Sequence, residues 1–286
     1  MSFAIETKAL APFGVELGID LSRDLTSAQA AEFGRIFREH YLIVARGQNL
    51  SADQQRKIMS YLGPVPSDGV DITSNDPKVG KQGSIRLAYH SDLSFAAEPD
   101  LGVSLFAIDL IADASSTSFA NGVRAYAKLP VTLKERIRGL QALNIWPIDQ
   151  TGRNRVSSLK DTDPRCAHPV VWPHPATGEP VLFVTEMQTD SIIGLPSEES
   201  EALIEELFGY LYSPDNVMAH RWRVGDLVIW DNRALQHARN DVSQVGIRTL
   251  RRIYNARRSF SEQFPQFQTL KSGFNDKRME SFASPR

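Results

Sequence analysis

The chain contains one His-x-Asp pair, His90 and Asp92. On an extended segment, side chains two residues apart project to the same face, so this imidazole and this carboxylate point into one space. A third ligand is available at His237, which follows the apolar run 227–230. Two histidines and one carboxylate form the facial set that binds non-haem Fe(II) and leaves coordination positions open. These residue types at this spacing therefore favour an oxygen-activating iron site.

Each part of that pattern has a plainer interpretation when taken alone. A His-x-Asp pair also arises by chance, and a lone histidine at a strand end is more often a packing or surface residue. The other histidines are interpreted as structural by the same reasoning: His40, His168, His174 and His220.

A run of alternating residues near the carboxyl end, 247–254, predicts a strand with two arginines on one face. By the two-residue period, Arg248 and Arg252 share that face, and Arg251 points the other way. An inward-facing arginine requires a counter-anion, because an unpaired buried guanidinium is too costly to keep. A dicarboxylate co-substrate would supply the anion through a bidentate contact, and so would an Asp or Glu of the protein.

The elements that position these residues can be predicted from periodicity and capping. Thr26 with Gln29, and Ser51 with Gln54, form capping boxes that open helices at about 27–40 and after Ser51. A further helix begins at Ser197. Strand-like runs are predicted at 42–45, 102–111, 169–172, 181–185, 227–230 and 247–254.

No repeat or composition break divides the chain, so we predict a single domain spanning 1–286, β-rich with helical decoration. The turn-rich segment at about 64–88 is predicted to be a mobile loop or lid, and about 261–286 a C-terminal tail.

The bulk composition favours a small-molecule partner. The 32 basic and 34 acidic residues give a net charge of -2, with no basic stripe that would indicate nucleic acid. No leader-like or membrane-spanning run appears, and the single cysteine agrees with a reducing compartment. We therefore expect a cytoplasmic protein that binds neither nucleic acid nor a membrane.

Several blocks resemble the taurine/2,4-dichlorophenoxyacetate dioxygenase family of Fe(II)/2-oxoglutarate-dependent oxygenases. They run in family order from about 14 to 258, and include GVELGIDLSRDLT, YHSDLSF, HPVVWPHPATGEPVLFV, HRWRVGDLVIWDNRALQHAR and IRTLRRIYNARR. The WDNR-x(3)-H block, with an arginine eleven residues after its histidine, is the most specific.

The resemblance implies a double-stranded β-helix (jelly-roll) core with flanking helices, and Fe(II) bound by His90, Asp92 and His237. It assigns 2-oxoglutarate to Thr117, Arg248 and Arg252, with Arg248 on the far carboxylate. Before Thr117 the family's Gly-Gly-Asp is replaced by Asp113-Ala114-Ser115-Ser116, which departs from the pattern.

The implied activity is hydroxylation of a small, anionic organic substrate, with 2-oxoglutarate and O2 as co-substrates and release of succinate and CO2. Where the hydroxylated carbon bears oxygen, nitrogen or sulfur, the product can fragment at that bond. The candidate substrate-binding residues are Arg86, Phe95, Met187 and Trp230. Either Arg86 or Arg252 is expected to pair with the anionic group. The family also implies a homo-oligomer.

Two alternatives remain at this stage. A Zn-dependent hydrolase could use the same three ligands, although it would leave Arg248 without a role. A non-catalytic jelly-roll binding protein could retain the fold without the activity.

Overall fold

The computed structural model describes residues 5–76, 78–79 and 83–270. Its α-helices are α1 (Ser27–His40), α2 (Ala52–Ser60), α3 (Gly122–Lys128), α4 (Val131–Arg136), α5 (Ser197–Leu211) and α6 (Phe260–Gln263). Short 3-10 helices lie at Val156–Ser158, Pro214–Asn216 and Pro265–Leu270. The strands are β1 (Glu6–Ala9), β2 (Val15–Gly18), β3 (Leu42–Ala45), β4 (Val70–Ser74), β5 (Leu87–His90), β6 (Gly102–Leu110), β7 (Ser116–Asn121), β8 (Gln141–Ile145), β9 (Arg165–Pro169), β10 (Val171–Pro173), β11 (Pro180–Leu182), β12 (Thr189–Ile192), β13 (Val217–Arg221), β14 (Leu227–Asp231), β15 (Leu235–Arg239) and β16 (Arg248–Asn255).

Two sheets form the centre of the fold. The larger has seven strands in the order β1-β2-β3-β14-β6-β16-β4, and the smaller has four in the order β13-β7-β15-β5. Two further small sheets, β10-β11 and β12-β8-β9, lie beside them. Pairing is antiparallel except between β2 and β3. The chain is therefore a β-rich α+β protein.

One apolar core joins the two large sheets. It contains Val103 and Val228 from the seven-stranded sheet and Phe119 and Leu235 from the four-stranded sheet, all fully buried. A second core lies on the opposite face of the seven-stranded sheet, under Phe33 of α1 and other side chains of α1 and α2. Because residues of both large sheets meet in the first core, side chains directed between them are shielded from water.

The two amino-terminal helices begin where their capping boxes predict. Thr26 accepts from the backbone N–H of Gln29 and Ser51 from that of Gln54, and both boxes are complete. The helix predicted to begin at Ser197 is α5, and the runs at 102–111, 227–230 and 247–254 correspond to β6, β14 and β16. These predictions are confirmed.

Other elements differ from the sequence prediction. The loop predicted at 64–88 contains β4, whose residues pair with β16 from Thr249 to Ile253. This short segment forms a strand because it pairs with β16, which is distant in sequence. The run 169–172 divides between β9 and β10, and the short helices α3 and α4 were not predicted. Within the predicted tail, α6 and a 3-10 helix are formed, and the remainder lies outside the described residues.

Among the described residues, no helix is both long and apolar enough to cross a bilayer.

Candidate active site

Strand pairing brings two histidines together. His237 of β15 is the antiparallel partner of His90, the last residue of β5. Cross-strand partners lie side by side on the same face of a sheet, and the two imidazole centroids are 4.0 Å apart. The sheet register thus joins residues that are far apart in the sequence.

Asp92 completes the cluster from the turn that follows β5. Its Oδ1 lies 3.5 Å from His90 Nε2 and 3.8 Å from His237 Nε2. All three potential ligand atoms lie within 4.8 Å of one another. Ligands of a transition metal bound at about 2.1 Å are roughly 3 to 3.5 Å apart, so the spacing suits one ion.

The backbone around Asp92 is fixed by a buried amide. Asn232 accepts from the backbone N–H of Asp92 at 2.9 Å and donates to the carbonyls of Asp92 and Asp100, both at 2.9 Å. Asn232 lies in the turn after β14, where Asp231 accepts from the backbone N–H groups of Arg233 and Ala234. Hydrogen bonds from the Trp-Asp-Asn-Arg block thus hold the backbone of the His-x-Asp segment in place.

Arg252 orients the carboxylate of Asp92. Its Nη2 lies 2.7 Å from Asp92 Oδ2 and also 2.7 Å from Oδ2 of the buried Asp100. Burial opposes ionisation of Asp92, but the Arg252 guanidinium together with His237 and His90 outweighs burial, so the pKa of Asp92 lies below its usual value. The carboxylate is therefore charged, with Oδ1 turned toward the two histidines.

The protonation states of this cluster suit a metal ion. His90 Nδ1 is hydrogen-bonded to the Ala88 carbonyl at 2.8 Å, so a proton on Nδ1 leaves the lone pair of Nε2 directed at Asp92. Burial lowers the pKa of His90. Burial and the neighbouring His90 together lower the pKa of His237 to about 3. Two neutral imidazoles and one carboxylate are the forms that bind a divalent cation.

An inner cavity of about 60 Å³ adjoins the cluster between the two sheets. Arg248, 2% exposed, lines it from β16, and Thr117, also 2% exposed, lines it from β7. Arg248 Nη2 lies 3.4 Å from Thr117 Oγ1, which also accepts from Trp222 Nε1 at 3.0 Å. Burial lowers the pKa of Arg248 from its usual value. The predicted cosubstrate residues Thr117 and Arg248 thus lie together in a cavity that the three candidate metal ligands also line.

A larger outer cavity, about 390 Å³, also borders His90 and Asp92. Phe95 and Met187 line it, as the sequence predicted, together with Trp146 and Phe260. The Trp146 ring meets Phe95 edge-on at 5.0 Å. It stacks on Phe267 at 5.5 Å. Arg252 lines both cavities.

Two predicted substrate residues do not line the outer cavity. Arg86 is exposed, and its guanidinium donates to Glu186 at 2.8 Å and to the Thr151 carbonyl. An acidic neighbour therefore already balances its charge. Trp230 is 1% exposed and lines the inner cavity, with its ring 4.7 Å from that of His237. Neither residue is placed where a substrate in the outer cavity would touch it.

Sequence reasoning missed three residues of this site. Asp100 and Asn232 act through contacts that are distant in sequence, and only the position of Asn232 inside the Trp-Asp-Asn-Arg block offered a signal. Arg239, two residues after His237, also lines the inner cavity. Strand alternation does not identify it, because the pairing of β15 with β5 is irregular between His237 and Arg239 and Ala238 lines the same cavity.

Comparison with known proteins agrees with this geometry. A model of the taurine catabolism dioxygenase TauD, TfdA family matches residues 6–254. The chain belongs to this family. It is 31% identical to the alpha-ketoglutarate-dependent 2,4-dichlorophenoxyacetate dioxygenase of Cupriavidus pinatubonensis over 265 residues, which covers 80% of this chain and 90% of that protein. It is 29% identical to the alpha-ketoglutarate-dependent sulfate ester dioxygenase of Pseudomonas putida, with 84% and 85% of the two chains covered.

The fold of this TauD, TfdA family member also resembles those of solved structures. A taurine dioxygenase from Burkholderia xenovorans superposes with a TM-score of 0.77 at 27% identity, covering 88% of this chain and 91% of that one. The protein is therefore a dioxygenase that depends on Fe(II), 2-oxoglutarate (alpha-ketoglutarate) and O2. The predicted reaction class is confirmed, and the comparisons do not support the zinc hydrolase or the binding protein.

Proposed function

We propose that His90, Asp92 and His237 hold the Fe(II) of this dioxygenase, and that Arg248 with Thr117 binds the far carboxylate of 2-oxoglutarate. The observation that carries the proposal is the buried Arg248 in a cavity that also borders all three candidate ligands. A dicarboxylate placed there would supply the anion that a buried guanidinium requires.

Fe(II) bound at this cluster, together with 2-oxoglutarate and O2, supplies the oxidising chemistry for hydroxylation, with succinate and CO2 as by-products. The side chains of this protein position the reactants and exclude water. Arg252 holds Asp92 so that a single oxygen faces the histidines. Trp230 packs against His237 and keeps the inner cavity apolar on that side.

The outer cavity is our candidate for the substrate site, with a small organic anion as substrate. The named relatives act on 2,4-dichlorophenoxyacetate and sulfate esters. Arg252 is the only arginine or lysine among the described residues that line this cavity. We assign it the anionic group of the substrate, near the keto-acid end of 2-oxoglutarate, with Phe95 and Met187 against the apolar body. Hydroxylation of a carbon that bears oxygen, nitrogen or sulfur would then lead to cleavage of the bond between that carbon and the heteroatom.

An anaerobic titration tests the metal and cosubstrate assignment. The protein with Fe(II) and 2-oxoglutarate should develop the weak visible charge-transfer band of a chelated keto acid, and His237→Ala should lose it. A screen of organic acids for substrate-dependent succinate release would then identify the substrate. Hydrolysis supported by Zn(II), with no such band and no succinate from any acid, would contradict the proposal.

We further propose that the two large sheets form the double-stranded β-helix core of one domain. The antiparallel pairing and the core they share support this architecture. A mobile lid near 64–88, a cytoplasmic location and a homo-oligomeric state stay predictions. Light scattering of the purified protein would test the oligomeric state.

A further inference from the structure

A buried histidine outside both cavities contacts the turn that holds Asp92. His174 follows β10 directly, and its Nε2 lies 2.9 Å from Oδ2 of Asp231, the last residue of β14. His174 is 3% exposed and Asp231 is 8% exposed. The His174 side chain lines neither the inner nor the outer cavity. Asp231 is thus the residue through which His174 can act on the site.

The hydrogen bonds of His174 determine which ring nitrogen carries the proton. The backbone N–H groups of Ala176 and Thr177 both donate to Nδ1, each at 3.3 Å. A nitrogen that accepts has no proton of its own, so the neutral imidazole carries its proton on Nε2 and donates it to Asp231. The backbone N–H of His174 donates to the Glu179 carbonyl at 2.8 Å, which anchors this donor in the β10–β11 hairpin.

The two oxygens of Asp231 have separate partners. Oδ2 accepts from His174, whereas Oδ1 accepts from the backbone N–H groups of Arg233 and Ala234, both at 2.9 Å. A donor on Oδ2 fixes the rotation of the carboxylate and keeps Oδ1 directed at the turn after β14. A second contact joins the same two segments, since the guanidinium carbon of Arg233 lies 3.4 Å from the ring centroid of Trp172 in β10.

This turn presents Asn232 to the segment that carries the candidate metal ligands. Asn232 is buried, accepts from the backbone N–H of Asp92 and donates to its carbonyl, both at 2.9 Å. The hydrogen bonds thus run from His174 through Asp231 and Asn232 to the backbone of Asp92. Arg252 acts on Asp92 at another point, because it binds the carboxylate. The position of Asp92 therefore depends on two separate sets of contacts.

We propose that His174 is a positioning residue of the metal site: by holding Asp231 it fixes the turn that carries Asn232, and so the backbone of Asp92. This inference rests on the proposed assignment of the three metal ligands. Loss of a partner that orients a ligand typically weakens metal binding by roughly 10- to 100-fold. Because His174 acts through two intervening residues, we expect an effect near the lower end of that range.

A second buried histidine supplies a matched control. Nε2 of His220 lies 3.0 Å from Oδ2 of Asp226, and both residues are 1% exposed. His174→Phe and His220→Phe each remove a buried donor and keep an aromatic ring, but His220 contacts Asp226 and not Asp231. We expect the Kd of Co(II), measured by calorimetry on metal-free protein, to rise roughly 5- to 20-fold in His174→Phe and to stay within about twofold of wild type in His220→Phe.

His174→Gln separates positioning from a general loss of stability, which urea denaturation measures for every variant. A glutamine amide can place an N–H near the position of Nε2, so this variant should recover most of the Co(II) affinity that His174→Phe loses. A wild-type Kd in His174→Phe, or an equal rise in both phenylalanine variants, would overturn the positioning role. A glutamine variant that binds Co(II) as weakly as the phenylalanine variant would overturn it as well.

If His174→Phe does not fold, as judged by circular dichroism, Asp231→Asn takes its place. Its amide has one oxygen for two sets of donors, so either His174 or the turn loses its acceptor, and the Kd of Co(II) should rise by a similar factor. An unchanged Kd in Asp231→Asn would overturn the inference. A wild type that binds Co(II) no more tightly than His237→Ala would instead contradict the assignment of the metal ligands itself.

Discussion

Arg252 binds one oxygen of Asp92 and leaves the other to face the two histidines. Nε and Nη2 of Arg252 lie 3.2 and 2.7 Å from Asp92 Oδ2, while Oδ1 lies 3.5 Å from His90 Nε2. The guanidinium thereby favours a carboxylate that offers a metal a single oxygen. Asp100, 2.7 Å from the same Nη2, holds Arg252 in place.

Replacing this guanidinium should weaken metal binding. In Arg252→Gln the Asp92 carboxylate loses its orienting partner, and we expect the affinity for Co(II), measured by calorimetry, to fall roughly 10- to 100-fold. Arg223→Gln, which removes an exposed arginine paired with Asp113, is the control and should bind Co(II) like wild type. Unchanged affinity in Arg252→Gln would show that Asp92 is oriented by other contacts.

Thr117→Val should affect both stability and cosubstrate binding. The buried indole N–H of Trp222 would lose its acceptor, which should lower the free energy of unfolding by about 1 to 3 kcal/mol in urea denaturation. The Kd of 2-oxoglutarate should rise several-fold because Arg248 loses the hydroxyl that positions it. Thr117→Ser retains the hydroxyl and should show smaller changes in both measurements. A valine variant with wild-type stability would contradict the hydrogen bond to Trp222.

Arg86→Gln should leave substrate selectivity unchanged. Its ion pair with Glu186 is solvent-exposed, and such pairs contribute at most about 1 kcal/mol to stability. We expect KM values for anionic and neutral substrates to stay within about twofold of wild type in steady-state assays of succinate release. A loss confined to anionic substrates would restore the sequence-based prediction that Arg86 binds substrate.

Asp71→Asn should improve the binding of anionic substrates. Asp71 lines the outer cavity from β4, is the strand partner of Arg252, and makes no ion pair with another described residue. Its negative charge opposes an anion approaching Arg252. Removing it should lower KM for anionic substrates roughly two- to tenfold and leave neutral substrates unaffected. A rise in KM for the anions would instead indicate that Asp71 contacts the substrate directly.

The parts of the site that follow local rules could be predicted from the sequence. The two-residue period placed Arg248 and Arg252 on one face of β16 and turned Arg251 away, where it now donates to Gln55 and the Leu50 carbonyl. The family blocks then joined His237 to His90 and Asp92. Capping boxes fixed the starts of α1 and α2 because they depend on residues three positions apart.

The parts that depend on distant contacts could not be predicted. β4 becomes a strand only beside β16, and Asp100 acquires its role only when Arg252 reaches it across 152 positions of sequence. The charge of Arg86 suggested an anion site, but Glu186, 100 residues away, had already neutralised it. Neither periodicity nor composition identifies such partners.

The aromatic side chains of the outer cavity and the candidate metal ligands come from different segments of the chain. Trp146 lines this cavity with Phe260 and stacks on Phe267, and both phenylalanines come from the segment after the last strand. The candidate metal ligands come instead from β5, β15 and the turn after β5. If the outer cavity binds substrate as we propose, mutations in that late segment would alter which acids are accepted and leave the proposed metal ligands unchanged. Because different segments supply these two sets of residues, substrate specificity could evolve while the reaction stays the same.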